Sequence, residues 1–411
     1  MESIGHDFAV LFSNTDGGDF NKTFFYLTGI KSPEMALILA PDFEAEEALF
    51  NASGTWEYAS TEAAAEAFPM GDLLGHVAQL ATERTTAHLS FTDLGQLQGM
   101  DRVLPFMSTL ENLDQRIAEM RVIKDPQEIE SLRRASQITA EGLNDVFRAL
   151  EAGMQEEDLG AMLETSFQRQ GSPGSSFLQA ASGPNATNVH FGAGERVIEN
   201  GDVIVFDVGA WWNDYTADIS RTIPVSGRFT KEQREIYTVV LNSQKAAIEL
   251  MVPGASVDEV RERAQDVLID GLHELGLVLD KENEAQRRFF IAHGYYHFIG
   301  LDIHDVWSEY SRSPGEKTYQ PGMVMTMEPG LYFPADRVEA AVARLGSTPE
   351  DLEMKAFLET IRPVYEKYVD IGVRIEDDVL ITENGNEILT ASVPKEIEEI
   401  ERMIRGDVPI M

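Results

Sequence analysis

Several acidic residues of this chain lie inside stretches that are otherwise apolar, which limits how those stretches can fold. The first stretch is Val203-Ile-Val-Phe-Asp207-Val-Gly209, which has the pattern of a buried strand. Aspartate is depleted in strands and is almost never fully buried without a partner. Asp218 follows eleven residues later, and a hairpin between the two segments would turn both carboxylates to one side. Their repulsion requires either a cation or a basic side chain such as Arg221, and these stretches alone leave both alternatives open.

Three of the eight histidines fall within twelve residues, in the segment His293-Gly-Tyr-Tyr-His297-Phe-Ile-Gly300-Leu-Asp-Ile-His304. A single histidine in an apolar segment is usually a core residue, but three so close together indicate a site. His293 and His297 have the spacing of the helical zinc motif, in which a glutamate follows the first histidine. Gly294 occupies that position, and the segment is rich in Gly and Tyr, so the sequence excludes this motif.

Two further apolar stretches carry acidic residues. Glu328 lies before Pro329 and Gly330, after a strand-like run, and Glu376 lies in Gly372-Val-Arg374-Ile-Glu376-Asp-Asp-Val379. Residues two apart on a strand point the same way, so an ion pair between Arg374 and Glu376 is the alternative to metal binding there. Together the stretches offer four carboxylates and one imidazole: Asp207, Asp218, His297, Glu328 and Glu376. This set suits Mn²⁺, Fe²⁺, Co²⁺ or Zn²⁺, and four acids are enough to bridge two such ions.

The composition excludes several classes of protein. A net charge of −37 argues against binding to nucleic-acid phosphates, and no long apolar run is present to span a membrane. The absence of cysteine excludes disulfides, thiolate nucleophiles and zinc sites with cysteine ligands. The first twelve residues lack the features of a signal peptide, so a cytoplasmic protein is expected. The acidic excess is interpreted as a solvated surface, with steering of cationic substrates as the alternative.

The organisation predicted from the sequence is two domains. Residues 1–110 alternate strand-like and helix-like runs, which is typical of an α/β domain. Within them, four elements are predicted: strands at Phe8–Phe12 and Met35–Ala40, and helices at Ala45–Phe50 and Ala63–Thr82. Residues 111–125 are predicted as a connecting helix and linker.

The second section, residues 126–411, combines long helices with strands and is predicted as an α+β domain. Capping boxes predict helices that begin after Asp125, Thr230 and Ser256. Strands are predicted at Val203–Val208, Ile219–Val225, Val324–Met327 and Val373–Ile381. Residues 334–368 are rich in Ala, Glu and Arg, and are predicted as a helical insertion close to the site.

The order of these motifs resembles that of metallopeptidase family M24, which includes aminopeptidase P, prolidase and methionine aminopeptidase. The resemblance runs from about Arg121 to Ile404, and it implies the pita-bread fold for the C-terminal domain. The stretch Phe24-Phe-Tyr-Leu-Thr-Gly29, followed by Pro33, resembles the N-terminal domain of aminopeptidase P and prolidase, which methionine aminopeptidases lack. A smaller, creatinase-like α/β domain is therefore expected before the catalytic domain.

The resemblance also implies a role for each acidic residue and for His297. Asp207 would chelate one metal ion, and His297 and Glu328 would bind the other. Asp218 and Glu376 would bridge the two ions. Glu328 would in addition carry a proton from the attacking water.

Five further positions match residues of the family's active site. His190 matches a histidine near the tetrahedral intermediate, and His304 one that contacts the substrate carbonyl or amide. His293 matches a histidine of the proline-side pocket. Arg374 matches a site arginine, and Tyr332 a tyrosine that follows the Glu-Pro-Gly turn.

The activity that the resemblance implies is hydrolysis of the N-terminal Xaa-Pro bond of proline-containing peptides, through a hydroxide that bridges two divalent ions, expected to be Mn²⁺. The segment 383–392 favours an Xaa-Pro aminopeptidase over a dipeptidase. Pro314, with Arg312 and Lys317 nearby, occupies the position where eukaryotic-type prolidases hold a dipeptide's carboxylate with an arginine. Tyr295 and Tyr296 are bulkier than the residues usual in the family and leave the size of the pocket open.

Three alternatives remain on the sequence alone. They are an Xaa-Pro dipeptidase with its organophosphate-hydrolysing relatives, a metal-free hydrolase of the creatinase type, and a non-catalytic binding module. Members of the family are often dimers or tetramers, so a homo-oligomer is expected.

Overall fold

The computed structural model describes residues 8–13, 21–32, 35–40, 47–51, 66–81, 86–89, 105, 109–306, 310–311 and 317–406. The chain divides into two compact units, residues 1–121 with 308–313, and residues 122–307 with 314–411. Among the helices of these described ranges, none combines the length and the apolar character needed to cross a membrane.

The first unit is built on a six-stranded sheet. Its strands are β1 (Phe8–Phe12), β2 (Ala36–Leu39), β3 (Glu47–Asn51), β4 (Glu66–Pro69), β5 (Thr86–Leu89) and β6 (Thr109–Asn112). Its helices are α1 (Lys22–Thr28), α2 (Leu73–Ala81) and α3 (Asp114–Val122), and the boundary between the units falls in the last turn of α3. The strands are ordered β4-β3-β2-β1-β5-β6, antiparallel from β3 to β1 and parallel elsewhere.

Alternate residues of β1 enter two different apolar clusters. Phe8 and Val10 lie in the cluster that contains Val77 of α2, whereas Leu11 lies in the cluster that contains Phe24 of α1. This alternation is the two-residue period of a strand that is buried on both faces. The prediction of a buried strand at Phe8–Phe12 is confirmed.

Two helices predicted in this unit are wrong, wholly or in part. The described part of Ala45–Phe50 is β3, whose residues Leu49 and Phe50 enter the two clusters, because pairing with β2 outweighs the helix propensity of the run. In Ala63–Thr82, residues 66–69 form β4, and the helix begins only at Leu73. Residues 45–46, 63–65 and 82 lie outside the described residues.

The second unit combines eight helices with nine strands in its described residues. The helices are α4 (Pro126–Ala149), α5 (Glu156–Arg169), α6 (Lys231–Leu250), α7 (Val257–Glu274), α8 (Glu284–Phe290), α9 (Arg337–Arg344), α10 (Pro349–Tyr365) and α11 (Ile397–Ile404). The strands are β7 (Ser175–Ser182), β8 (Val203–Trp212), β9 (Tyr215–Thr216), β10 (Ile219–Pro224), β11 (Val324–Met327), β12 (Gly330–Tyr332), β13 (Gly372–Arg374), β14 (Asp377–Thr382) and β15 (Gly385–Ile388). The sheets are ordered β10-β8-β7 with β9 on β8, β11-β14-β15, and β12-β13. This mixture confirms the α+β class.

The predicted helix starts are confirmed at all three positions, and the predicted capping box forms at two of them. Asp125 Oδ1 accepts from the Glu128 amide at 2.9 Å, and the Glu128 side chain accepts from the Asp125 amide at 2.8 Å. Thr230 makes the same reciprocal pair at the start of α6. The capping box predicted for Ser256 is wrong, because the side chain of Ser256 does not cap α7 and its backbone pairs with Thr318 as an isolated bridge.

The predicted strand Val373–Ile381 is broken at Glu376. The residues before the break form β13, which pairs with β12, and those after it form β14, which pairs with β11. The Glu376 amide leaves both pairings and donates to the Ser220 carbonyl at 3.0 Å. The break therefore brings Glu376 against β10.

The region 334–368 contains α9 and α10, which pack beside α8. The Phe289 ring of α8 lies 6.3 Å from the rings of Phe357 and Tyr365, both in α10. The Tyr365 hydroxyl also donates to the Pro334 carbonyl at 2.9 Å, and this hydrogen bond joins the end of α10 to the start of the region.

Candidate metal centre

The hairpin of β8 and β10 brings the first two predicted ligands together. Asp207 lies directly opposite Ser220 in the antiparallel register, and Asp218 is the residue just before β10. Asp218 is 3% exposed, and its amide donates to Asp378 Oδ2 at 3.1 Å. The carboxylates of Asp207 and Asp218 are thus held on one hairpin by backbone pairing.

His297 is the centre of a buried cluster of possible metal ligands. One ligand atom each from Asp218, His297 and Glu376 lie within 4.8 Å of one another. His297 Nε2 is 3.5 Å from Asp218 Oδ2, 3.5 Å from Glu328 Oε1 and 3.8 Å from Glu376 Oε1. His297 Nδ1 donates to the Phe298 carbonyl at 3.0 Å, so the lone pair of Nε2 faces the carboxylates, as metal binding requires.

Asp207 joins this cluster through Ser220 and an arginine. The Ser220 hydroxyl lies 2.9 Å from Asp207 Oδ1 and 2.7 Å from Glu376 Oε2. Arg374 forms an ion pair with Asp207 and donates to the Ser220 hydroxyl at 2.8 Å. The alternative of an Asp207–Arg221 pair is wrong, because Arg221 pairs with another residue.

The two buried arginines of this region therefore pair with residues other than those considered from the sequence alone. Arg221 binds Asp377 at 2.7 Å, with both side chains fully buried. Arg374 takes Asp207 as its partner, and not Glu376 two residues along the chain. Neither ion pair includes Asp218 or Glu376, although the charge of Arg374 partly offsets the rise in the pKa of Glu376.

The electrostatics of the cluster favour a cation. Burial, and next the neighbouring carboxylate of Glu376, raise the pKa of Asp218 and of Glu328 well above the usual range. Burial and then Asp207 raise the pKa of Glu376 to about 8. Asp218 Oδ1 and Glu376 Oε1 are buried, and neither has a hydrogen-bond partner among the described residues. Oxygen atoms of this kind, beside a free imidazole nitrogen, fit a divalent metal ion.

Three predicted residues form a hydrogen-bonded chain beside the cluster. Arg374 Nη1 donates to the Tyr332 hydroxyl at 2.8 Å, which lies 2.9 Å from His293 Nε2. His293 Nδ1 donates to the Gly294 carbonyl at 2.6 Å and lies 3.5 Å from Glu328 Oε2. Burial, and then the charge of Arg374, lower the pKa of His293 to about 4, so this imidazole is neutral at pH 7.

The two remaining predicted histidines are more exposed. The His304 ring lies 4.3 Å from the His297 ring, and burial and then His190 lower the pKa of His304. His190 is exposed, and the preceding carbonyl of Val189 accepts from Arg374 Nη1 at 3.0 Å. The backbone next to His190 is thus bonded to Arg374, and His304 contacts the ring of His297.

The side chains of Tyr295 and Tyr296 interact electrostatically with arginines of α7 and α8, while the Tyr295 carbonyl accepts from the Glu328 amide at 2.8 Å. Burial raises the pKa of both tyrosines. The charges of Arg287 and Arg261 lower the pKa of Tyr295 in part, and the charge of Arg261 does the same for Tyr296. Both tyrosines therefore lie towards α7 and α8. Arg312 and Pro314, which bear on the dipeptidase alternative, lie outside the described residues.

Sequence reasoning missed Ser220 and Asp378. Both are fully buried, and both contact residues of the predicted ligand set. A signal was available for Asp378, since Glu376-Asp-Asp378 places two more acids in an apolar strand. No sequence signal separates Ser220 from an ordinary strand serine.

Known proteins resemble this chain over most of its length. Residues 130–383 match the model of metallopeptidase family M24. The chain is 33% identical to the Xaa-Pro aminopeptidase of Haemophilus influenzae over 404 residues, which covers 93% of this chain and 87% of that protein. It is 34% identical to the Xaa-Pro dipeptidase of Homo sapiens over 316 residues, which covers 72% of this chain and 62% of that protein.

The fold is also that of a solved relative. The structure of aminopeptidase PepP from Pseudomonas aeruginosa superposes with a TM-score of 0.82 at 28% identity, over 98% of this chain and 94% of that one. These matches confirm the pita-bread fold and the resemblance seen in the motifs. The chain belongs to metallopeptidase family M24.

Proposed function

We propose that this chain is an Xaa-Pro aminopeptidase, which removes the first residue of a peptide whose second residue is proline. The buried cluster of Asp218, His297 and Glu376 carries the proposal, since two of its carboxylate oxygens have no hydrogen-bond partner in the described part of the chain. It is supported by the nearly full-length similarity to the Haemophilus influenzae Xaa-Pro aminopeptidase.

Five residues would hold two divalent ions: Asp207, Asp218, His297, Glu328 and Glu376. We propose Mn²⁺ as the native ion, because a set of four carboxylates and one imidazole is rich in hard oxygen ligands. When bound, the ions polarise the scissile carbonyl and lower the pKa of a bound water.

Glu328 is suited to carry a proton. Its two oxygens face His297 Nε2 and His293 Nδ1, each at 3.5 Å, and burial and then Glu376 raise its pKa well above the usual range. In its ionised form this carboxylate can accept the proton of the attacking water and then deliver it to the leaving proline nitrogen.

The chain of Arg374, Tyr332 and His293 would hold one side of the substrate pocket rigid. His293 is neutral at pH 7, and its Nε2 accepts from Tyr332, so it presents an uncharged ring edge there. A proline residue has no amide N–H and a fixed φ, so it requires no acceptor from this wall. His190 and His304 are both exposed beside the cluster. His190 would lie near the tetrahedral intermediate that forms at the substrate carbonyl, and His304 would contact the substrate carbonyl or amide.

The runner-up is an Xaa-Pro dipeptidase with the same ligands. The similarity to the human dipeptidase supports it, but that match covers only 62% of the human protein, against 87% of the aminopeptidase from Haemophilus influenzae. The longer match favours the aminopeptidase.

Product analysis tests the proposal. Purified protein is treated with a chelator, reloaded with Mn²⁺, Co²⁺ or Zn²⁺, and given Xaa-Pro-Xaa, Xaa-Pro and Xaa-Ala-Xaa peptides. Release of the first residue from Xaa-Pro-Xaa alone, dependent on metal and highest with Mn²⁺, is expected. Cleavage of Xaa-Pro alone would establish the dipeptidase, and full activity without metal would favour the creatinase type. If no product forms with any of these metals, the non-catalytic binding module is the remaining alternative.

We also propose a cytoplasmic homo-oligomer. The lack of cysteine supports the compartment, and membership of the family is the ground for the oligomer. Light scattering of the purified protein measures the assembly, and a mass of about 46 kDa would overturn the second part.

A further inference from the structure

Glu156, the first residue of α5, is a buried carboxylate that the proposed mechanism does not use. Glu156 is 0% exposed to solvent. Its oxygens accept from the Ser182 amide at 2.6 Å, the Ser182 hydroxyl at 2.7 Å, the Asn185 side chain at 3.1 Å and the Gly194 amide at 3.3 Å. These donors lie at the two ends of residues 182–194, which carry His190 and are called the His190 loop below.

Both ends of the His190 loop are thus tied to one carboxylate. Ser182 and Asn185 belong to its first end, and Gly194 to its second. The backbone of α5 reinforces the second end, since the Glu157 amide donates to the Gly194 carbonyl at 3.0 Å. The start of α5 therefore closes the loop at its base.

The middle of the loop is held by hydrogen bonds to Arg374 of the candidate site and to Gln179 of β7. Arg374 donates to the Val189 carbonyl at 3.0 Å, and Gln179 accepts from the Phe191 amide at 3.0 Å. His190 thus lies between two residues that are fixed through their backbones. Its imidazole acts electrostatically on His304, whose ring lies edge-on to the ring of His297.

The direct donors to Glu156 are all uncharged groups, although the Ser182 hydroxyl in turn accepts from Arg196. A buried carboxylate with neutral donors needs each of them, because losing any one exposes part of a large desolvation cost. The loop can therefore leave its position only at the expense of the Glu156 contacts. This coupling keeps the loop in one arrangement before substrate arrives.

We infer that Glu156 is a positioning residue for His190, and that it sets the orientation of this imidazole towards the substrate carbonyl. The inference rests on the proposed function, because it assigns His190 a contact with substrate. It goes beyond that function by placing the control of the contact in a carboxylate that touches neither the metal ligands nor the peptide.

The test is a double-mutant cycle with matched controls. Glu156→Gln keeps the size of the side chain but turns one acceptor into a donor that opposes the Asn185 and Gly194 donors. Glu157→Gln removes the same charge from an exposed neighbour. With Xaa-Pro-Xaa as substrate, Glu156→Gln is expected to lower kcat/KM by about tenfold or more, and Glu157→Gln by less than about twofold.

The effect of Glu156→Gln in a protein without His190 distinguishes positioning of His190 from general destabilisation. In a His190→Ala protein, adding Glu156→Gln is expected to change kcat/KM by less than about twofold, because its target is gone. An unchanged tenfold loss in that background would overturn the inference. Equal activity of Glu156→Gln and the parent protein would overturn it as well.

A second readout is independent of activity. Hydrogen exchange of the metal-loaded protein should show faster exchange of amides 183–194 in Glu156→Gln and unchanged exchange in α6. If Glu156→Gln does not fold, Asn185→Ala, which removes only one donor, takes its place in both measurements. Failure of the proposed function would give a different result from failure of this inference. The parent protein would then release no residue from Xaa-Pro-Xaa, while slow hydrogen exchange of the loop amides would still depend on Glu156.

Discussion

Ser220 lies directly opposite Asp207 in the antiparallel pair of β8 and β10, with its hydroxyl 2.9 Å from Asp207 Oδ1. The same hydroxyl accepts from Arg374 and lies 2.7 Å from Glu376 Oε2. A hydroxyl has one proton, so it serves one carboxylate at a time while it accepts from the arginine. Ser220 therefore links two proposed metal ligands on different strands.

Removal of this hydroxyl should weaken the site. Ser220→Ala is expected to lower kcat/KM by about tenfold and to weaken metal binding, because hydrogen bonds to charged groups contribute about 1.5–3 kcal/mol. Steady-state kinetics over a series of Mn²⁺ concentrations measures both effects. Ser226→Ala is the control, since Ser226 is exposed and bonds only the Arg228 carbonyl among described groups. Equal metal affinity of the two variants would contradict the role of Ser220.

Metal binding should stabilise the protein more at higher pH. Burial and neighbouring carboxylates raise the pKa values of Asp218, Glu328 and Glu376, the last from 4.5 to about 8. A carboxyl whose pKa is raised on folding contributes stability below its unfolded pKa, and this stability is lost as pH rises through the folded pKa. The metal-free protein should thus lose stability towards about pH 8, and a cation restores it by removing the repulsion.

Thermal unfolding with chelator and with Mn²⁺ measures this effect. The rise in Tm on adding Mn²⁺ should be larger at about pH 8 than at about pH 6. Asp218→Asn, which removes one carboxylate of the cluster, should show a smaller rise at both pH values. A rise that shrinks with increasing pH would contradict the proposed coupling.

Arg221 is expected to be intolerant even to lysine. Its guanidinium donates to the carbonyls of Ser220 at 2.9 Å, Glu376 at 2.6 Å and Val393 at 3.0 Å, and to Asp377 at 2.7 Å. A lysine ammonium has three donors and cannot reproduce this planar arrangement. Arg221→Lys should therefore lower the free energy of unfolding by about 3 kcal/mol.

Urea denaturation followed by fluorescence measures that loss. Arg228→Lys is the matched control, because Arg228 is exposed, and it should change the free energy of unfolding by less than about 0.5 kcal/mol. If both variants unfold at the same urea concentration as the parent protein, the hydrogen bonds of Arg221 do not contribute to stability as predicted.

Gly372 is required by a close approach of two backbone segments. A Cβ atom at this position would lie 1.8 Å from the Ala186 carbonyl oxygen, within the His190 loop. Gly372→Ala should therefore lower Tm by several degrees, since overpacking costs about 1–3 kcal/mol, and should reduce activity by displacing the loop. Gly201→Ala, where a Cβ meets open space, should leave both quantities unchanged. A wild-type Tm for Gly372→Ala would be inconsistent with this packing.

Salt should stabilise this chain. The net charge is −37, and self-repulsion of this size opposes the compact state. Raising NaCl from about 0.1 M to about 1 M shortens the screening length from about 10 Å to about 3 Å, so Tm should increase. KCl at the same ionic strength should give the same increase, because the effect is one of screening. A Tm independent of salt would show that the acidic residues are already compensated.

Much of the site could be predicted from the chain itself. The acidic residues within apolar strands, the group of three histidines and the capping boxes at Asp125 and Thr230 are local patterns, and the structure brings Asp218, His297 and Glu376 within 4.8 Å of one another. The similarity to metallopeptidases of family M24 agrees with these patterns. The wrong helices, Ala45–Phe50 and the first part of Ala63–Thr82, are segments in which pairing with a neighbouring strand decides the conformation.

The sequence by itself determined which segments of this protein must compensate buried charge, because a carboxylate in an apolar strand needs a partner wherever that strand lies. Only the tertiary structure decided the partners. Arg221 binds Asp377, 156 positions away along the chain, and Arg374 binds Asp207, 167 positions away. Strand register and the break at Glu376 bring such residues together, and both depend on contacts between segments that no local pattern encodes.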